Sequence, residues 1–397
     1  MRAEGATRTP DDQVTVAELD ADPHPALARM RAAGPAVWVT ALGTWLVTGY
    51  DAAVAVLRDA RTFTVDDPRF TTAKVTGPSM LSLDGAEHAR HRAPFNRAFR
   101  RDEVRARLAA FTRAEAARLV AAITPDGAAE LRRAVAGPLA VAVMAEVLGL
   151  GQVEPARILA WYDGIVAAVQ AETAGHGGGA AGAAAFGELA ASLREVIARP
   201  GSGSLLAQAA GEREIEAPLT ADEAISNAAV LMFGGIETTE GMIANALLHL
   251  LSSPAQLAQV LADPGLVPAA VEESLRLEPA AAVVDRYATA GTRLGDAGIQ
   301  AGDPVTVSIA GANRDPAVFD DPDAFDLHRP NASRQLAFAH GPHFCLGAHL
   351  ARLEAQVAVE TVLASLPRLR LDSGHSSAPR GLVFRKPPDL RVRWDTS

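Results

Sequence analysis

Residues 338–347 read Phe338-Ala339-His340-Gly341-Pro342-His343-Phe344-Cys345-Leu346-Gly347. Two glycines and a proline in ten positions argue for an irregular loop. A helix is expected directly after it, from Leu346 to about Leu363. Cys345 then sits at a helix start, beside free backbone N–H groups and the positive end of the helix dipole. Both favour a thiolate. A packed thiol and a metal-ligating thiolate are equally compatible with that placement.

Cys345 is the only cysteine in 397 residues, so no intramolecular disulfide can form. A reducing, cytoplasmic setting fits. The formal charge of −10 argues against a nucleic-acid partner. At 49% hydrophobic residues the chain can bury a large core. The start of the chain, Met1 to Val14, is polar and lacks the apolar centre of an export signal. Nowhere do about 18 apolar residues run uninterrupted, so no membrane span is expected.

Outward from the loop, the longest pattern begins at Thr220, which with Glu223 forms a T-x-x-E capping box. It continues without proline to Ser253. A helix this long and this apolar runs through the middle of a protein. Halfway along come Gly234, Gly235, Ile236, Glu237, Thr238 and Thr239. Each glycine costs about 1 kcal/mol relative to alanine in a helix, and a buried acid and hydroxyl need partners. Such rule-breaking marks a functional site or a tolerated kink. The glycines would let a flat ligand approach and the helix widen.

Residues 1–22 read as an N-terminal arm and 23–397 as one domain, because no composition shift marks a linker. Pro25–Ala33 reads as a short helix, 36–40 and 44–48 as a hairpin about Gly43, and Asp51 as the cap of a helix ending near Arg58. Residues 60–83 read as a long loop. From Glu87 to Pro200 the pattern is helical, interrupted by six glycines between Gly175 and Gly187. That interruption reads as a surface loop or a lid. Helices follow at 254–262 and 267–277, then short strands over 283–310.

Two further constellations are weak singly. Glu273 and Arg276 share a helix face at i, i+3. His88 and Arg92, one turn apart, could grip an anionic group.

Together these features resemble the cytochrome P450 family in its soluble bacterial form, over about Pro23 to Trp394. The cysteine loop matches F-G-x-G-x-H-x-C-x-G except that Ala339 stands where glycine is usual, a harmless change unless φ is positive there. Gly234 to Thr239 resembles the family's oxygen-activation motif, and Glu273 with Arg276 its E-x-x-R. Arg329, in F-D-L-H-R-P, resembles the third member of that buried triad.

The resemblance implies a mainly α, triangular single domain with a small β-rich lobe. It implies haem b, with Cys345 as iron ligand and His88, Arg92, Arg286 and His343 around the propionates. Phe338, Gly347, Gly234 and Gly235 would border the ring. Glu237 and Thr238 would handle protons as O2 is used to oxidise a substrate. The chain carries no flavin fingerprint, so an external ferredoxin and its reductase are expected to supply electrons. The basic residues Arg90, His91, Arg97, Arg100, Arg101, His349 and Arg352 would greet the ferredoxin. A monomer is expected. The pocket candidates are Phe63, Phe70, Leu81, Val230, Phe233, Ala282, Val283, Val284 and Phe384. They are apolar, which points to a hydrophobic small molecule. Peroxide-driven or non-oxygenase chemistry, and haem binding without turnover, remain the alternatives.

Overall fold

The computed structural model describes residues 10–11, 13–173, 177, 179–199, 205–206, 218–372, 374 and 377–396. Its axis is the helix Ala221–Leu251. The capping box is formed in both directions, with Thr220 Oγ1 accepting from Glu223 N and the Glu223 carboxylate accepting from Thr220 N. The helix is apolar around most of its girth because it is packed on several sides. Helices Gly137–Leu148, Val267–Leu277 and Ala348–Ser365 all pack on it. It is continuous through Gly234–Gly235, so the expected widening is not formed.

The last of those helices follows Cys345, starting two residues later than expected, and also packs along Arg101–Ile123. The main sheet has six strands in the spatial order 10–11, 36–39, 44–47, 304–308, 283–288 and 63–64. The hairpin is as expected, with Val37 opposite Leu46 and Trp38 opposite Trp45. Smaller sheets join 370–371, 391–393 and 128–130, and pair 292–294 with 297–299.

Several expectations change. The described part of the arm is docked: Pro10 and Asp11 pair in parallel with Trp38 and Val39. A helix Val16–Ala21, capped by Thr15, then buries Leu19 against Met30 and Leu46. Residues 1–9 lie outside the described residues. The loop over 60–83 contains a strand, Phe63–Thr64, and a helix, Thr71–Thr76. Asp51 is not a cap; the helix Tyr50–Arg58 starts after Gly49, and Asp315 Oδ2 accepts from Tyr50 N at 2.8 Å.

The glycine-rich interruption is largely helix. Gly175 and Gly178 lie outside the described residues, but Gly179–Ala198 is helical and lies along Pro155–Thr173. A Cβ on Gly182 would collide with Ala168, and one on Gly164 would lie 2.6 Å from the Ala185 Cβ. The small residues serve close backbone approach between two helices, which outweighs the local helix penalty of glycine.

Candidate active site

The cysteine loop is shaped from outside itself. Gly341 has φ +73°, and a Cβ there would strike Leu57 O and come within 3.0 Å of Arg58 Cα. The loop therefore lies on the backbone of the helix Tyr50–Arg58. Ala339 has φ +57°, so an alanine occupies the left-handed region where the family pattern has glycine. Cys345 N donates to Phe338 O at 2.8 Å, closing the loop. Arg92 Nη2 donates to Phe344 O at 2.6 Å, so one of the expected propionate donors also braces this loop.

Burial pushes the Cys345 thiol above its ordinary value, against the pull of the Gly347 N–H and of Arg92 and Arg352. The helix start favours the thiolate, as its position suggested, but desolvation is the stronger effect. A metal bound to the sulfur supplies the missing stabilisation.

His88, Arg286 and His343, expected around an anionic group, differ in how far they are already engaged. His88 is buried, its Nε2 has no hydrogen-bond partner, and its ring centroid lies 4.3 Å from that of His343. Burial, with His343 and Arg92 nearby, lowers His88 to about 4. Burial lowers Arg286 to about 10, and its Nη1 reaches only the carbonyl of Asp285, at 2.7 Å. His343 has a competing partner that sequence did not reveal: its Nε2 pairs with Asp84 Oδ1 at 2.8 Å. Burial would raise Asp84, but hydrogen bonds from His343, Thr64 and Val65 prevail and hold it at about 2. An orphaned imidazole nitrogen beside two cations without ion pairs among the described residues fits a carboxylate-bearing group such as haem.

The two central glycines divide their work. A Cβ on Gly235 would collide with Met144 of a neighbouring helix, so Gly235 permits helix contact. Nothing lies within 4 Å of a Cβ on Gly234. Gly234 and Thr238 are partly exposed in the middle of a buried helix, on the side that opens to the site. Thr238 Oγ1 donates to Gly234 O at 2.6 Å. Glu237 pairs with Lys386 Nζ at 2.8 Å and accepts a hydrogen bond from Tyr162. Neither Lys386 nor Tyr162 was singled out from sequence.

Glu273, Arg276 and Arg329 come together in the interior. Arg276 Nε and Nη2 each donate to Glu273 at 2.8 Å, and Arg329 Nε donates to the same carboxylate at 2.9 Å. Arg276 also reaches the carbonyls of Asn313, Pro322 and Ala324.

The pocket candidates separate. Phe233 and Phe384 form an edge-to-face pair at 5.6 Å, joining the central helix to the C-terminal loop. Val230 lies one turn before Gly234, and Leu81, Val283 and Val284 are partly buried. Phe63 belongs to the sheet core with Trp45 and Val305, because its strand pairs with Tyr287–Ala288. Ala282 packs with Leu19, Leu27 and Leu46 on the lobe side. Phe70 precedes the helix Thr71–Thr76. The expected basic surface is reduced. Arg90 pairs with Glu87 and Glu223, His91 is buried against Asn227, and Arg352 pairs with Glu272.

A model of the family "Cytochrome P450" matches residues 199–376. The chain is 38% identical to the cytochrome P450 monooxygenase PikC of Streptomyces venezuelae, over 95% of this chain and 92% of that one. The chain belongs to the cytochrome P450 family. It is also 34% identical to the mycinamicin IV hydroxylase/epoxidase of Micromonospora griseorubida, over 88% of this chain and 89% of that one. Cytochrome P450 CYP109Q5 from Chondromyces apiculatus has the same fold, with a TM-score of 0.87 and 31% identity over 98% of this chain and all of that one. This P450 is thus a monooxygenase that binds haem b. Among the described residues no helix is long and apolar enough to cross a membrane.

Proposed function

We propose that this P450 oxidises a largely hydrophobic small molecule, with Cys345 as the thiolate that would hold the haem iron and electrons from an external ferredoxin and its reductase. The haem, when bound, supplies the oxygen activation and the oxidising power. The observation that carries the reading is the open face at Gly234, beside Thr238 and near the Phe233–Phe384 pair.

In this reading Arg92, Arg286, His88 and His343 neutralise the propionates, and Phe338, Gly347, Gly234 and Gly235 border the ring. Thr238 presents its hydroxyl to the site, where it can hold a water or a proton. Glu237 brings protons inward. Phe233, Phe384, Val230, Leu81, Val283 and Val284 enclose the substrate, with Phe70 at the pocket edge; Phe63 and Ala282 support from behind. Glu273, Arg276 and Arg329 are structural. Arg97, Arg100, Arg101 and His349 form the ferredoxin-facing surface. The protein works as a cytoplasmic monomer, with residues 23–397 as one domain and the described part of the arm docked on it.

The test is turnover of a panel of apolar compounds with a surrogate ferredoxin and reductase under oxygen-18. Product carrying one labelled oxygen supports the reading. A spectral shift on binding without labelled product, across the panel and with peroxide as well, points to haem binding without oxygenation.

A further inference from the structure

The charges around Glu237 form a closed set drawn from four parts of the chain. Glu237 and Glu240 lie one turn apart on the central helix, and their side chains are 13% and 6% exposed. Lys386 Nζ bridges them, 2.8 Å from Glu237 Oε1 and 2.8 Å from Glu240 Oε2. Arg132 Nε lies 2.8 Å from Glu240 Oε1. Arg132 belongs to the single π-turn among the described residues, Arg132–Ala136, the kind of local distortion that often accompanies function. Tyr162, on the helix Pro155–Thr173, donates its hydroxyl to Glu237 Oε2, and burial followed by the Glu237 charge keeps that phenol protonated well above its ordinary range.

Two cations and two carboxylates balance, so the cluster can be buried without a stranded charge. Glu240 has Arg132 in addition to Lys386, whereas Lys386 is the sole cation paired with Glu237 among the described residues.

Lys386 sits in a stiff loop. Arg380 N donates to Lys386 O at 3.0 Å, and Lys386 N returns a bond to Arg380 O at 3.2 Å. Next to it, buried Arg385 donates to Glu278 Oε1 at 2.7 Å and to the carbonyls of Asp20, Gly381 and Pro379. On the other side, Arg132 Nη1 donates to Pro387 O at 3.0 Å. Two residues before Lys386, Phe384 meets Phe233 of the central helix.

We propose that Lys386 is a positioning residue for proton delivery, holding the Glu237 carboxylate beside the Tyr162 hydroxyl and tying it to the loop that carries Phe384. The proposal rests on the proton role given to Glu237 above. A carboxylate held this way takes up a proton from solvent and releases it on the Thr238 side by rotating about its side-chain bonds. Lys386 sets its resting orientation. Because one short loop carries both residues, the apolar wall at Phe384 and the acid at Glu237 share a mounting.

The test uses the haem-loaded full chain with K386M, K386R and E237Q. The first readout needs no turnover: the infrared carboxylate stretch of Glu237, assigned by its loss in E237Q. The second is hydrogen peroxide formed per oxygen consumed, in water and in heavy water, with a surrogate electron donor. In K386M the band should move, the peroxide share should rise several-fold, and the solvent isotope effect should change. K386R should return all three towards the parent. An unmoved band in K386M overturns the positioning role. A moved band with parent-like peroxide share and isotope effect also overturns it, because Lys386 is then structural alone. If E237Q itself couples like the parent, the proton role of Glu237 fails, while the band still reports whether Lys386 holds it. Should K386M fold poorly, K386Q removes the charge and keeps a donor.

Discussion

Arg352 lies with its guanidinium carbon 4.3 Å from the centre of the Phe338 ring while its Nη2 donates to Glu272 Oε2 at 3.1 Å. The side chain clamps the start of the cysteine loop to the helix Val267–Leu277. A planar fork can lie flat on a ring and still grip a carboxylate with two N–H groups; an ammonium cannot reproduce that geometry. Arg352→Ala should therefore cost about 1–3 kcal/mol of stability, and Arg352→Lys should recover little of it. Denaturant midpoints of the holoprotein measure both. Full recovery by lysine would mean that the charge alone matters.

With Arg352, Arg90 and His91 engaged elsewhere and Arg97 3.8 Å from Glu103, the proposed docking surface rests chiefly on Arg100, Arg101 and His349. Arg101→Glu should raise the apparent KM for a ferredoxin, and the effect should fade with rising salt as screening grows. Steady-state kinetics at two ionic strengths decide it. No change at low salt would remove this face from consideration.

Glu273 accepts from two arginines and from Asp326 N and is wholly buried. Glu273→Ala strands both guanidinium groups, which should cost about 3–5 kcal/mol. The expected result is a low yield of folded, haem-loaded protein. A parent-like yield would show that the carbonyls around Arg276 suffice.

Ala339 pays for its positive φ with a Cβ–carbonyl clash that glycine lacks. Ala339→Gly should stabilise by up to about 1 kcal/mol. The denaturant midpoint should rise; a fall would show that the flexibility gained by the unfolded chain is the larger effect.

Two buried glutamates give opposite pH slopes. Burial raises Glu354 well above 4.5, so the folded chain keeps a proton that the unfolded chain releases. The stability it contributes is complete below about 4.5 and is lost as pH rises above that value. Burial would also raise Glu278, but His24, Arg385 and Arg314 hold it at about 2. Its contribution is complete above 4.5 and is lost as pH falls towards 2. Glu354→Gln should gain stability relative to the parent at alkaline pH, and Glu278→Gln should flatten the acid limb. Thermal unfolding from pH 3 to 9 separates them; parallel curves for parent and variants would contradict both assignments.

Thr238→Ala should keep haem and substrate binding while diverting reducing equivalents into hydrogen peroxide. Product formed per cofactor oxidised is the measure. Parent-like coupling would end the role given to this hydroxyl.

What could be read from the chain was local or carried by motif. The capping box at Thr220, the hairpin about Gly43 and the loop around Cys345 each lie within a few residues of sequence. Arg329 is far from Glu273 and was placed by resemblance, not by periodicity. Lys386 and Asp84 left no local signal, because their partners Glu237 and His343 come from distant segments. The run Gly179–Gly187 misled for the same reason: Gly182 answers to Ala168 of a neighbouring helix. Phe63 and Ala282 are apolar, and pattern alone does not separate a pocket wall from a lobe core.

The contact of Gly341 with the backbone of Leu57 and Arg58 ties the sulfur-bearing loop to a helix near the opposite end of the chain. Local folding of the C-terminal third therefore cannot complete the curve that presents the sulfur. A fragment carrying the whole motif would have the right letters and lack the surface they are moulded on. Haem capture in this P450 consequently reports that the two ends of the polypeptide have met.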